Sequence, residues 1–472
     1  MGPFVDRGSE MRWLDERWAS GRAELLLVYG RRRVGKTRLV REWVERRGLG
    51  GRVLYFVAEE EPEQAMLARL SEALARFTGD ELLAERPLTS WRQVLLYLAR
   101  LATGERIGFV LDEFQYAVEA SPGLPSTLQA LWDTRLSSTK IFILLMGSLV
   151  SFSEGVLGSR SPLYGRFTGI LRLSPLSPLA AGCFAPTWPP GDRVRLYGVF
   201  GGVPGYLSEV DPSLGLWENI ERLLLRPNAR FLDEAKYLLR EELREVQRYF
   251  AVLEAIASGA TSYGEIAQRS GVPGESLSKY LRVLEDMGLV EKQRPVLGRG
   301  RARYRIADPF LRFWFRYIPR HRAAIELGLT EKTVEAVRKD FEHNLAPQAW
   351  EETMAAMVAE AARRGELPIT PTRMGPWWHR GEEIDLVALD ETVTPPVVLV
   401  AEAKWSRLDC REIRRILDTL RAKAQRLPLM RRGKTIYLLA ARELDCGNPE
   451  LLGDEVAWSL RDYERLAENT CS

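Results

Sequence analysis

The chain has 472 residues, a hydrophobic content of 46%, a charged content of 28% and a formal net charge of +3. Its length exceeds one ordinary core and predicts about three domains; no apolar run approaches the ~20 residues of a membrane span. The near-neutral charge neither favours nor excludes a nucleic-acid partner.

The first residues lack the apolar core of a secretory signal. Met1-Gly2 is followed by Pro3, outside the myristoylation pattern. A cytoplasmic location without a membrane partner is expected. The four cysteines, Cys183, Cys410, Cys446 and Cys471, form no C-x-x-C pair, and there are three histidines. A zinc site and a disulfide framework are therefore not expected, and any metal should sit on oxygen ligands.

In chain order, residues 24–30 (ELLLVYG) predict an apolar strand. A basic loop follows, then a helix ending at Gly48. GRVLYFVAE predicts a second strand and residues 62–103 helical structure. RIGFVLDEF predicts a third strand ending in acids, and KIFILLMGS a fourth ending in Gly-Ser. Near-continuously apolar strands alternating with helices predict a parallel sheet covered on both faces. Prolines gather past residue 175, and a helical lid is expected up to about residue 235.

Residues 236–318 read differently. Three short helical patterns occur, and in the third Leu277, Tyr280, Leu281, Leu284 and Met287 recur at helical spacing. RPVLGRGRARYRI then places glycines at a hairpin tip. Three helices and a hairpin predict a winged helix-turn-helix. The aromatics at 310, 313, 314, 315 and 317 read as a packing segment, with a stacking platform for single-stranded bases as the alternative. Residues 319–335 are expected to be a linker. A last α/β unit, 336–465, carries a helix (341–363), the strands EEIDLVALD and PVVLVAEAKW, an amphipathic helix (410–426) and the strand KTIYLLAA. No internal repeat or low-complexity segment is present.

Gly30-Arg31-Arg32-Arg33-Val34-Gly35-Lys36-Thr37 fits G-x-x-x-x-G-K-[ST] between a strand and a helix, which is the context this phosphate-binding loop requires. The glycines let backbone N–H groups turn inward, and the helix N-terminus, continued by Arg38, adds its positive dipole end. Lys36 should reach the β- and γ-phosphates of ATP and Thr37 should offer its hydroxyl to Mg²⁺. At the end of the third strand, Asp112 should hold Mg²⁺ through water and Glu113 should orient or activate the attacking water. Ser148 is placed to sense the γ-phosphate. Arg166, or Arg160 as the weaker candidate, could supply an arginine to that phosphate, in cis or on a neighbouring subunit of a homo-oligomer.

Together FVDR, YGRRRVGKT, LDEFQ, GS and SPLYGR resemble the prokaryotic, mainly archaeal, AAA+/STAND-like P-loop ATPases. That resemblance implies a P-loop ATPase domain with helical lid (1–235), a winged helix, and a C-terminal α/β restriction-nuclease-like domain. It also places Phe4 to Arg7 near the adenine, with Glu10 as the accompanying acid.

In the winged helix, residues 275–287 would be the recognition element, presenting Ser276, Ser278, Lys279 and Arg282 outward. The wing adds Arg299, Arg301 and Arg303, types that contact DNA phosphates. The segment 291–305 holds six basic residues against one acidic. The alternative is an interdomain scaffold.

Asp385, Glu402 and Lys404 fall on two adjacent strands, with Glu402 and Lys404 on one face. Two close carboxylates repel unless a cation lies between them, so Asp385 and Glu402 are candidate Mg²⁺ ligands, with Lys404 assisting a water. This is similar to the PD-(D/E)xK nuclease core. The resemblance implies Glu351, an acid, as the fourth residue of the site, with Glu342 competing for that position. The basic face of helix 410–426 could track a DNA backbone. The resulting expectation is an ATPase, using ATP and Mg²⁺, whose nucleotide state controls a DNA-directed module. A STAND-type signalling switch, or a DNA-binding regulator without nuclease activity, is the alternative.

Overall fold

The computed structural model describes residues 2–148, 161–243, 245–298, 300–427, 434–446 and 451–471. Arg160 and Arg299 lie outside them. The chain divides into two compact units, Arg7–Ser174 and a larger one formed by Met1–Asp6 with Pro175–Ser472.

The smaller unit holds a sheet of five parallel strands: β1 (Glu24–Gly30), β2 (Val53–Val57), β3 (Gly108–Asp112), β4 (Phe142–Ser148) and β5 (Gly169–Leu173), in the order β2-β3-β4-β1-β5. Strand β4 thus stands between the strand that precedes the phosphate-type loop and the strand that ends in acids. Leu25 to Val28 are fully buried, as an apolar strand covered on both faces requires. The predicted helical stretch 62–103 divides into Glu63–Thr78, Leu82–Glu85 and Trp91–Leu101. Strand β5 was not foreseen: its burial alternates, and Ile170 is exposed.

In the larger unit, the helices Val246–Ala257, Tyr263–Ser270 and Gly274–Asp286 precede a hairpin of β6 (Val290–Gln293) and β7 (Arg303–Ile306). This is the winged-helix arrangement that the periodicity indicates. The C-terminal sheet contains β8 (Arg373–His379), β9 (Glu382–Asp390), β10 (Val397–Asp409), β11 (Lys434–Asp445) and β12 (Glu455–Trp458), ordered β12-β11-β10-β9-β8. It is mixed: β8, β9 and β10 pair antiparallel, whereas β10, β11 and β12 pair parallel.

Three expectations are corrected and one alternative is set aside. Residues 319–335, expected to be a linker, are helical on either side of a short turn, in helix Pro309–Glu326 and helix Thr330–Asn344. Residues 175–235 group with the larger unit, not with the P-loop-type sheet, because helix Pro190–Phe200 buries Val194 against Trp350 and Met354. The aromatics 310–317 are buried, with Phe310 stacked on Tyr206 at 4.3 Å, so they pack and offer no platform to bases. Lastly, the cysteines pair: Cys183–Cys471 across 288 residues and Cys410–Cys446 across 36, with Cα–Cα distances of 5.3 and 5.2 Å. Both separations are within disulfide reach, which spacing along the chain does not reveal. Among the described residues, no helix is long and apolar enough to cross a membrane.

Candidate functional site

The loop after β1 turns where two glycines permit it. A Cβ on Gly30 would stand 2.4 Å from Leu173 O, and Gly35 has φ +99°, a conformation that side chains rarely adopt. Of the three arginines, Arg31 is buried while Arg32 and Arg33 are exposed, Arg33 at φ +64°. Val34 is fully buried. Helix Lys36–Arg46 begins at the loop's end, so Lys36, Thr37 and Arg38 form its first turn. Lys36 is 7% exposed, and its Nζ donates to Gly30 O at 3.0 Å and Arg31 O at 3.3 Å. The ammonium therefore lies within the loop.

Thr37 Oγ1 donates to Asp112 Oδ2 at 2.7 Å, and the N–H of Glu113 donates to Asp112 Oδ1 at 2.9 Å. The Tyr55 hydroxyl on β2 also donates to Asp112 Oδ2. Burial, followed by the Asp112 charge, raises the Tyr55 pKa, so this phenol keeps its proton and acts as a donor. Tyr55 escapes motif reading because it belongs to no motif; its partner is 57 residues away. Glu113 has φ 53°, in the left-handed region, and accepts a hydrogen bond from Gln115 Nε2. Strain of that kind in a non-glycine residue concentrates at functional positions. Ser148 lies opposite Gly30 in the β1–β4 register. Arg7 donates to Val34 O at 3.2 Å, Ser174 O at 2.9 Å and Glu10 at 3.0 Å. The early motif thus reaches the loop through Arg7, and Glu10 is its acid partner. Arg166 is bidentate to Asp133, at 2.8 and 3.0 Å, on the surface.

The donor set fits magnesium. One hydroxyl and one buried carboxylate on oxygen, completed by substrate phosphates and water, is the usual protein share of such a site. Thr37 and Asp112 would hold the ion, which would neutralise charge on the phosphates.

The second candidate site lies in the C-terminal sheet. Asp385, Glu402, Glu351 and Lys423 line a cleft of about 710 Å³. Asp385 accepts from the N–H of Ala403 at 2.8 Å. Glu402, 8% exposed, accepts from Lys404 at 2.8 Å and from Lys423 at 3.2 and 3.3 Å. Burial, then the charge of Glu402, raises the Asp385 pKa. Burial, then the charge of Asp385, pushes Glu351 up to about 7. Burial pulls the Lys404 pKa down, but the hydrogen bond and charge of Glu402 outweigh it and raise the pKa.

Glu351, not Glu342, joins this cleft. Glu342 is held by Arg195 at 2.6 Å and by the Trp405 indole at 3.1 Å. Lys423, the penultimate residue of helix Cys410–Ala424, was not anticipated. Among the described residues, no group of three or more His, Cys, Asp or Glu is disposed to hold a metal ion. A cation at Asp385 and Glu402 would compete with two ammonium groups for Glu402, so this donor set fits magnesium less well than Thr37 and Asp112 do. The basic face expected along helix 410–426 is also largely occupied: Arg414 pairs with Glu455, Arg421 with Asp454 and Glu455, and Arg426 with Glu382.

In the winged helix, Ser278, Lys279 and Arg282 are exposed and Ser276 is half-buried, while Leu277, Tyr280, Leu281 and Leu284 are buried. Arg301 is exposed. Arg303 is half-exposed but engaged: it pairs with Glu383 at 3.0 Å and stacks on Trp378.

Three families match successive parts of the chain. Residues 4–210 match an ATPase domain predominantly from Archaea, residues 242–309 the sugar-specific transcriptional regulator TrmB, and residues 314–416 archaeal and bacterial proteins of unknown function. The chain is 31% identical over 464 residues to the uncharacterized protein MJECL04 of Methanocaldococcus jannaschii, covering 98% of this chain and all of that one. A stretch of 42 residues is 45% identical to the uncharacterized ATP-binding protein MJ0423 of the same organism, covering 9% of this chain and 71% of that one. Among solved structures, the Walker-type ATPase PABY2304 of Pyrococcus abyssi is 22% identical with a TM-score of 0.49, covering 66% of this chain and 96% of that one. The Aeropyrum pernix ORC2 protein is 17% identical with a TM-score of 0.42, covering 71% and 95%.

The parallel sheet, the glycine-bounded loop and the archaeal family match define a P-loop ATPase domain, followed by a TrmB-like winged-helix region and a C-terminal sheet domain. The chain belongs to the family of Methanocaldococcus jannaschii MJECL04.

Proposed function

We propose that this protein binds and hydrolyses ATP with Mg²⁺, and that its nucleotide state controls a DNA-directed module made of the winged helix and the C-terminal domain. The observation that carries the reading is the meeting of Thr37 with Asp112 at 2.7 Å beside the enclosed Lys36 ammonium. Gly30 to Arg38 bind the phosphates and Glu113 prepares water. Ser148 senses the γ-phosphate. Arg166 would have to leave Asp133 to reach a phosphate, in its own chain or in a neighbouring copy. DNA is inferred from the TrmB match and from the exposed Ser278, Lys279 and Arg282. A cytoplasmic location follows from these partners; disulfides persist inside cells chiefly in hyperthermophiles.

A reading without DNA cleavage has a specific observation in its favour: Glu402 is already matched by Lys404 and Lys423. The cleaving alternative assigns Asp385 and Glu402 to magnesium, with Glu351 and Lys404 assisting the water. ATP turnover and plasmid nicking, assayed on wild type, Lys36→Ala, Asp385→Ala and Lys404→Ala, decide between them. Turnover lost only in Lys36→Ala, with no nicking in any protein, supports the non-cleaving ATPase. Divalent-dependent nicking lost in Asp385→Ala and Lys404→Ala supports the nuclease. Undiminished turnover in Lys36→Ala sinks both.

A further inference from the structure

The hairpin of the winged helix does not project freely into solvent. Leu297, between β6 and β7, is 7% exposed and lies in the core of the C-terminal sheet with Trp377 and Ile384. The N–H of Val296 donates to Pro376 O on β8 at 2.9 Å. Gly300 approaches so closely that an added Cβ would stand 3.2 Å from Trp378 Nε1. Arg303 donates to Glu383 on β9 at 3.0 Å and lies over the Trp378 ring at 4.5 Å. These contacts hold β6 and β7 against the carboxylate cleft, where Glu291, Gln293 and Arg305 join Glu351 and Asp385 in the lining.

Two physical consequences follow. A cleft of about 710 Å³ has the size of a small-ligand pocket and does not admit a duplex while the hairpin is seated. Arg303, meanwhile, has a single guanidinium, whose Nη1 is given to Glu383. A backbone phosphate that takes this Nη1 breaks its bond to Glu383.

We propose that the hairpin is a latch: seated, it closes the carboxylate cleft, and a phosphodiester backbone bound along the winged helix withdraws it by taking Arg303 from Glu383. This rests on the reading that the winged helix binds DNA, and it adds how the cleft is regulated.

The test is hydrogen exchange on the full chain in metal-free buffer, following the Val296 amide and segment 376–385. Leu297→Ala removes the anchor, and Arg303→Glu sets like charges against each other. Each should raise exchange there by about tenfold. The exchange of charges, Arg303→Glu with Glu383→Arg, should bring it back toward wild type. If Leu297→Ala fails to fold, the charge pair still decides. Exchange unchanged in the folded variants overturns the latch.

A mixed-sequence duplex is then added to wild type, with binding followed separately by fluorescence anisotropy. Binding accompanied by faster exchange, lost at high salt, supports release by DNA. Binding without faster exchange overturns release while leaving the DNA reading intact. No binding overturns both. Plasmid nicking is scored apart: variants that open without nicking support the latch and remove only the nuclease.

Discussion

Thr37 Oγ1 donates to Asp112 Oδ2 across 75 residues of chain, at 2.7 Å. Helix Lys36–Arg46 brings the hydroxyl, and β3 brings the carboxylate to its C-terminal end. With the Lys36 ammonium enclosed by Gly30 and Arg31, the loop places a positive charge and an oxygen pair at one point. Lys36→Ala should therefore lower ATP turnover by about 100- to 1000-fold, the usual loss on removing one such charge-stabilising group. Phosphate release at saturating magnesium–ATP measures it, and an unchanged circular dichroism spectrum shows that the fold survives.

Tyr55 yields a finer prediction. Its hydroxyl donates to the same Asp112 oxygen as Thr37. With Thr37 and Asp112 holding a metal ion, Tyr55 would still fix the carboxylate through its own hydrogen bond. Tyr55→Phe should keep the fold and raise the magnesium concentration needed for half-maximal turnover about 3- to 10-fold, in keeping with the loss of one hydrogen bond to a charged group. A fall in turnover with no change in magnesium requirement would assign Tyr55 a different part.

The contrast between Lys36 and Tyr55 shows what was legible. Gly30, Gly35, Lys36 and Thr37 act within one loop, so local chemistry identifies them. Leu277, Tyr280, Leu281 and Leu284 were legible for a related reason: one helical face must be buried, and periodicity exposes it. Lys423 meets Glu402 across 21 residues, Arg303 meets Glu383 across 80, and Cys183 meets Cys471 across 288. Those pairings depend on how elements pack, which composition and spacing do not encode. The same cause narrows the basic face of helix 410–426, where Arg414 and Arg421 are spent on Asp454 and Glu455.

Thiol chemistry tests the cysteine pairing. The two disulfides leave no free cysteine among the described residues. Native and denatured protein should both give almost no reaction with a thiol reagent until a reductant is added. Closing loops of this length removes unfolded-state entropy, so reduction should cost about 3–5 kcal/mol for each bond that breaks. Thermal melts with and without reductant measure it; four reactive thiols in the unreduced denatured chain would contradict the pairing.

The winged helix makes a prediction about salt. Lys279 and Arg282 are exposed on the third helix, on the side away from Leu277 and Leu281. If they contact phosphates, each substitution to Ala should weaken duplex binding at low salt and reduce the log–log salt slope by about 0.9. Anisotropy titrations over a range of salt concentrations read both. A double variant with wild-type affinity and slope would leave this helix a scaffold.

Glu455 ties helix Cys410–Ala424, which carries Lys423, to the far edge of the C-terminal sheet. It accepts from Arg414 at 2.5 and 2.9 Å, from Arg421 at 3.0 Å and from the Leu452 N–H at 2.9 Å. The Arg414 hydrogen bond is foremost in holding its carboxyl at about 2, against burial, below its usual 4.5. The folded state thus takes up this proton less readily than the unfolded one. The stability Glu455 contributes is complete above the unfolded value and is lost as pH falls from there toward the folded value. Glu455→Gln should cost about 1–3 kcal/mol at neutral pH, and its difference from wild type should shrink steadily below pH ~4.5. Denaturant melts of both proteins across that range measure it. A deficit that stays constant with pH would mean that Glu455 acts through packing, and that the ion pairs with Arg414 and Arg421 contribute little.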